Sequence, residues 1–118
     1  MVALRETSLD AARVEDIRRL NDDLRVHGRG GRIMLTDGVR DLPPVTLATA
    51  FRAIRTFEWF TADDDPHGEH DFGSVTASGE TIFWKIDYYD GSLTVHSPDA
   101  ANPAVTTRVL TVMRADEH

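Results

Sequence analysis

The stretch Thr81-Ile82-Phe83-Trp84-Lys85-Ile86-Asp87-Tyr88-Tyr89 decides the fold. Ile82, Trp84, Ile86 and Tyr88 fall on one side of a two-residue period, and Phe83, Lys85, Asp87 and Tyr89 on the other. Such alternation is a β-strand with one face toward a core and one toward solvent. Upstream, Ala77-Ser78-Gly79-Glu80 reads as a hairpin turn, which makes residues 72–76 the preceding strand. Downstream, Asp90-Gly91 is a hairpin signal with residues 93–96 as the return strand. Residues 105–113 are rich in β-branched side chains and read as a further strand. Asn102 and Pro103 leave a capped helix there as the competing reading.

Before residue 72 the apolar period changes. Val14, Ile17, Leu20 and Leu24 recur at helical spacing and predict a helix over residues 8–27, with Thr7, Ser8 and Asp10 as N-caps. Arg18, Arg19, Asp22, Asp23 and Arg25 form its solvated side. Gly28 to Gly31 end it, residues 32–36 are a short β-rich run, and Asp37-Gly38 is a turn. Pro43 and Pro44 suit the entry to a second helix over residues 45–59, with Leu47, Phe51, Ile54 and Glu58 on one face and Phe57 and Phe60 extending its apolar end. Residues 61–73 have no periodicity and read as an ordered loop. The expectation is an α+β fold: two N-terminal helices packed on an antiparallel sheet of four to five strands.

The chain has 118 residues, 41% of them hydrophobic and 28% charged. That is a single domain, 1–118, able to bury roughly two-thirds of its unfolded surface without staples. It has no cysteine, which excludes disulfides, thiolate metal sites and thiol nucleophiles. No apolar run reaches the roughly 18 residues of a membrane span, and Met1 to Asp10 has no signal-type apolar core, so a cytoplasmic protein is expected. The net charge of −7 is uneven. Residues 1–59 carry ten arginines against nine acids, whereas residues 60–118 carry three bases against eleven acids, a net of −8. The acidic half argues against direct nucleic-acid binding, which needs clustered Lys or Arg. It suits a basic protein surface.

Several polar strings resemble one family: small bacterial proteins classed as a domain of unknown function, met in proteobacterial genomes and on plasmids. The strongest are Asp65-Pro66-His67-Gly68-Glu69-His70-Asp71-Phe72-Gly73 and Trp84-Lys85-Ile86-Asp87-Tyr88-Tyr89. Leu20-Asn21-Asp22, Gly30-Gly31-Arg32, Leu35-Thr36, Gly38-Val39, Thr107-Arg108-Val109-Leu110-Thr111 and Ala115-Asp116-Glu117 extend the likeness over residues 17–118. The family pattern has Tyr where this chain has His67, and Asn where it has Asp64. The resemblance implies no activity; it implies that a functional patch lies among the shared polar residues.

Three constellations follow. The loop holding Asp63, Asp64, Asp65, His67, Glu69, His70 and Asp71 has the donor types of a divalent-cation site. Its spacing matches neither the helical zinc signature nor the calcium loop, so turn chemistry is the plainer reading and no metal or cofactor is expected. Glu69, His70, Asp87 and Lys85 are the catalytic candidates, a carboxylate-oriented imidazole with a nearby ammonium. Their rival reading is structural hydrogen bonding for His70 and a strand-face ion pair for Lys85 and Asp87. Asp65, Glu69, Asp71, Trp84, Tyr88 and Tyr89 are the partner-binding candidates, acids beside large aromatics, although Trp84 equally fills a core with Ile82 and Ile86. The expected function is a non-catalytic protein-binding accessory role, with a protein partner or a second copy. Its sharpest form is a mobile-element inhibitor of a host defence complex. The alternative is a small metal-dependent or acid/base enzyme centred on residues 65–71.

Overall fold

A computed structural model describes residues 2–118. Its elements are α1 (Val2–His27), β1 (Gly31–Leu35), α2 (Asp37–Arg40), α3 (Pro44–Arg55), β2 (Phe72–Ala77), β3 (Glu80–Tyr89), β4 (Thr107–Arg114) and a terminal 3-10 turn (Ala115–Glu117). Mixed α+β composition is as expected. The sheet is not wholly antiparallel: its order is β1-β4-β3-β2, and β1 runs parallel to β4. Residue periodicity carries the face of a strand but not its direction, and no local turn links β1 to β4.

The decisive strand behaves as its alternation requires. Ile82, Trp84 and Ile86 are buried on the helix side, and Phe83, Lys85, Asp87 and Tyr89 are half-buried on the other. Ser78 (φ 51°) and Gly79 (φ 79°) form the two-residue turn to β2, the positive-φ pair that matches strand twist. Trp84 stacks directly on β2: a Cβ on Gly73 would lie 2.5 Å from its Nε1, so only glycine fits there. Leu24, Val39, Ala50, Ile54, Val75 and Leu110 complete the core around it.

Four other expectations are corrected. α1 begins at Val2, so Thr7, Ser8 and Asp10 lie within it rather than capping it. Asp37-Gly38 opens the short helix α2 instead of a simple turn. α3 starts at Pro44 but stops at Arg55, short of Trp59. Its last carbonyls are taken by a side chain from another element, Arg25, whose Nη1 donates to Ile54 O at 2.8 Å and Arg55 O at 3.4 Å, and beyond the helix to Phe57 O at 3.1 Å. The strand expected at residues 93–96 is reduced to one bridge, Tyr89 to His96. There the Asp90 carboxylate accepts from Ser92 Oγ and the Thr94 amide, which gives the backbone a local alternative to a ladder.

A polar clasp between helix and loop

Successive turns of α1 place Arg18, Asn21, Asp22 and Arg25 toward the loop that joins α3 to β2. The expectation of a solvated face for Arg18, Asp22 and Arg25 fails here. Arg25 is buried, with its guanidinium 5.3 Å from both the Phe60 and Trp84 ring centres. Arg18 Nε donates to Gly68 O at 2.6 Å. Asn21 is fully buried; its Nδ2 donates to Glu69 O at 3.0 Å and to Tyr88 Oη at 2.8 Å. Asn21 Oδ1 accepts from Arg108 Nε at 2.9 Å.

The network continues through side chains that the sequence flagged. Tyr88 Oη donates to Glu69 Oε1 at 2.7 Å, and its ring lies under the Arg108 guanidinium. Arg108, also buried, donates through Nη2 to Ala100 O and so ties the loop before β4 to the same cluster. Burial first, and then the Glu69 hydrogen bond, push the Tyr88 hydroxyl well above its ordinary value. Burial lowers the Arg108 guanidinium from its usual range, while the neighbouring Tyr88 and Glu69 oppose that shift.

His70 is the second anchor. Its backbone sits at φ 55°, the left-handed region, which a non-glycine residue holds only under restraint. The restraints are visible. Its amide donates to Asp65 Oδ1 at 3.1 Å, and its Nδ1 meets Asp22 Oδ1 at 2.9 Å. The imidazole stacks on Phe60 with centroids 3.7 Å apart and planes 5° from parallel. Nε2 lies 4.0 Å from Asp65 Oδ2, so two carboxylates bracket the ring. Beside it runs an open groove of about 690 Å³ walled by Asp22, Arg25, Arg55, Phe57, Phe60 and His70.

The site candidates divide between the two sides of the sheet. Glu69, His70, Asp65 and Tyr88 join the clasp. Lys85 and Asp87 lie on the opposite face, paired with each other at 3.3 Å. Glu69, His70, Asp87 and Lys85 are therefore not brought together. Asp71 and Tyr89 border a shallow hollow of about 310 Å³ with Asp87 and His96. Burial, followed by the Glu69 charge, raises the Asp71 carboxyl above its ordinary value, with a hydrogen bond to backbone acting against them. Trp84 is wholly inside, packed against Phe57 and Phe60, and presents no surface to a partner. Among the described residues, no three His, Asp or Glu side chains gather as a metal-binding group. Among the described residues, no helix is long and apolar enough to cross a membrane.

Sequence reasoning missed Asn21, Asp22, Arg25 and Arg108 as site residues. Two carried a signal. Asn21 is a polar residue on the stripe between Ile17 and Leu24, and Arg108 shares a strand face with Leu110 and Val112.

Fold and clasp together describe a small α+β protein in which buried polar side chains join a helix, a loop and two strands. The chain belongs to the protein family of unknown function DUF3768, whose model matches residues 35–117. No curated protein and no solved structure gave a match.

Proposed function

We propose that this is a non-catalytic binding protein that docks a basic surface of a protein partner through Trp59 and the rim of the following acidic loop. One observation carries the reading. Trp59 is 82% exposed, while Glu69, His70 and Tyr88 are engaged with α1 and each other. An indole held in water at the head of a pinned loop has the character of an interface anchor. Asp63 and Asp64 follow it at the surface. The clasp supports the reading by fixing the loop before a partner arrives, which lowers the entropic cost of docking. The sharpest form is an accessory protein of a mobile element that blocks a nucleic-acid-handling host complex. It draws on the net of −8 in residues 60–118 and on the family resemblance.

The test is affinity capture from a host extract with the wild type, Trp59→Ala and the Asp63→Asn, Asp64→Asn pair. A basic, nucleic-acid-handling protein is expected with the wild type and lost with both variants, whose thermal unfolding stays at the wild-type value. Capture that is indifferent to these substitutions overturns the proposal. A second reading, a small acid/base enzyme, is favoured only by the His70–Asp22 pair on the groove wall. It requires that Asp22→Asn abolish a turnover while leaving the loop in place.

A further inference from the structure

The edge of β3 that faces β2 is covered from two directions and left open between them. β2 begins at Phe72, opposite Lys85, and one further bond extends the ladder: the Ile86 amide donates to Asp71 O at 2.8 Å. His70, at φ 55°, turns the chain toward α1, so the ladder stops there. At the other end, residues 95–97 run along the same edge. The Asp90 amide donates to Val95 O at 2.9 Å, and the Ser97 amide to Tyr88 O at 3.0 Å. Strand alternation points the N–H and C=O groups of both Ile86 and Tyr88 to this side. Two of those four groups are therefore used. The other two, the Ile86 C=O and the Tyr88 N–H, flank Asp87 and have no hydrogen-bond partner among the described residues. Ile86 is only 4% exposed, and backbone groups at that depth are almost always paired.

Both residues wall the hollow of about 310 Å³ that also holds Asp71, Asp87, Thr94 and His96. Its charge is unbalanced. Asp87 is matched by Lys85 at 3.3 Å. Around Asp71, Glu69 and Asp65 add charge of its own sign, and the opposing charge is the His67 imidazole. The hollow thus offers a carboxylate, a carbonyl and, one residue further along, an amide donor.

We propose that this hollow binds an α-amino-acid unit, free or at the N-terminus of a polypeptide, with its ammonium on Asp71 and the Ile86 carbonyl and its C=O on the Tyr88 amide. Strand geometry selects that ligand. In a parallel pairing a single residue donates to the carbonyl before its opposite number and accepts from the amide after it. One residue opposite Asp87 therefore satisfies both open groups. An antiparallel segment needs the residues on either side as well, and Asp71 and Ser97 already stand in those places. The nitrogen of the parallel residue falls at the Ile86 end, where Asp71 blocks any preceding residue and supplies a countercharge. A chain terminus is thus required there, and a cationic one. Trp59, Asp63 and Asp64 take no part, so this site is independent of the docking proposed above.

The experiment is an NMR titration of the isotope-labelled full chain with L-alanine, trialanine and N-acetyl-L-alanine, following amide shifts and amide exchange. L-Alanine is expected to move the Tyr88 amide resonance and slow its exchange, with dissociation in the millimolar range for so small a ligand. N-acetyl-L-alanine lacks the ammonium and should bind at least about tenfold more weakly. Asp71→Asn should weaken L-alanine by at least about the same factor while keeping a native spectrum, because it removes a charge that burial disfavours. Trialanine binding as tightly as L-alanine identifies a peptide N-terminus as the source, and its exclusion identifies the free amino acid; both support the contact. A Tyr88 amide that does not respond to roughly 100 mM L-alanine overturns the proposal. So does equal binding of the acetylated compound, or an affinity unchanged in folded Asp71→Asn.

Discussion

Replacing Asn21 by alanine should cost this protein as much stability as truncating a buried leucine. The side chain is wholly buried and makes three hydrogen bonds, to Glu69 O, Tyr88 Oη and Arg108 Nε. After truncation Tyr88 still has Glu69, but the Glu69 carbonyl loses its side-chain donor and the buried Arg108 Nε loses its acceptor. Each group left without a partner away from water costs about 1–3 kcal/mol, with the charged one at the upper end. A loss of about 4 kcal/mol is therefore expected. For a chain of this size that is a fall of roughly 15 °C in melting temperature. Urea unfolding followed by tryptophan fluorescence reports it, since Trp84 sits in the core beside the clasp. The double variant Asn21→Ala, Arg108→Met should lose less than the sum of the two singles, because it removes the orphaned charge along with its acceptor. A loss below about 1 kcal/mol for Asn21→Ala, or strict additivity in the double variant, would refute the claim that this network holds the loop to the helix.

Two further predictions concern other parts of the molecule. Gly73→Ala drives a methyl group into the Trp84 indole and should destabilise by about 3 kcal/mol, read as a lower urea midpoint; an unchanged midpoint would mean that β2 and Trp84 do not approach so closely. Asp71 has its carboxyl raised in the folded state, chiefly by burial and then by Glu69, so its ionised form opposes folding at neutral pH. That penalty is present above the folded value and disappears as pH falls through it toward the ordinary value of 3.8. Asp71→Asn should accordingly melt higher than wild type at pH 7 and converge with it in acid; a gain that persists unchanged below pH 3.8 would contradict the assignment.

Much of the architecture was legible because it is written in local patterns. The alternation through residues 81–89, the Ser78-Gly79 turn and the Pro44 helix start all depend on neighbours in sequence. What was not legible depends on distant partners. The end of α3 is set by Arg25, and the direction of β1 by β4 at the far end of the chain. The Asp90-Gly91 signal was outweighed by the Asp90 carboxylate bonding its own loop. The site follows the same division. Glu69, His70 and Tyr88 stood out as polar and aromatic residues in compact strings. Asn21, Asp22 and Arg108 acquire their meaning only when α1, the loop and β4 meet. Lys85 and Asp87 sit close to Tyr88 in sequence, but strand alternation sends them through to the other side of the sheet.

The parallel pairing of β1 with β4 also bears on how the chain reaches its native state. The hairpin of β2 and β3 joins residues close in sequence and can form with little loss of chain freedom. The β1–β4 pairing joins Gly31 to Arg108 and must wait until nearly everything between them is in place. During synthesis, β1 and the clasp end of α1 therefore emerge from the ribosome long before the strand that receives them. Arg108, which both bonds Asn21 and lies opposite Gly31, arrives long after either of them. Its arrival unites the two slowest events, closure of the sheet and burial of the polar network, in one late step. Substitutions at Asn21 or Arg108 should consequently speed unfolding more than they slow the first collapse.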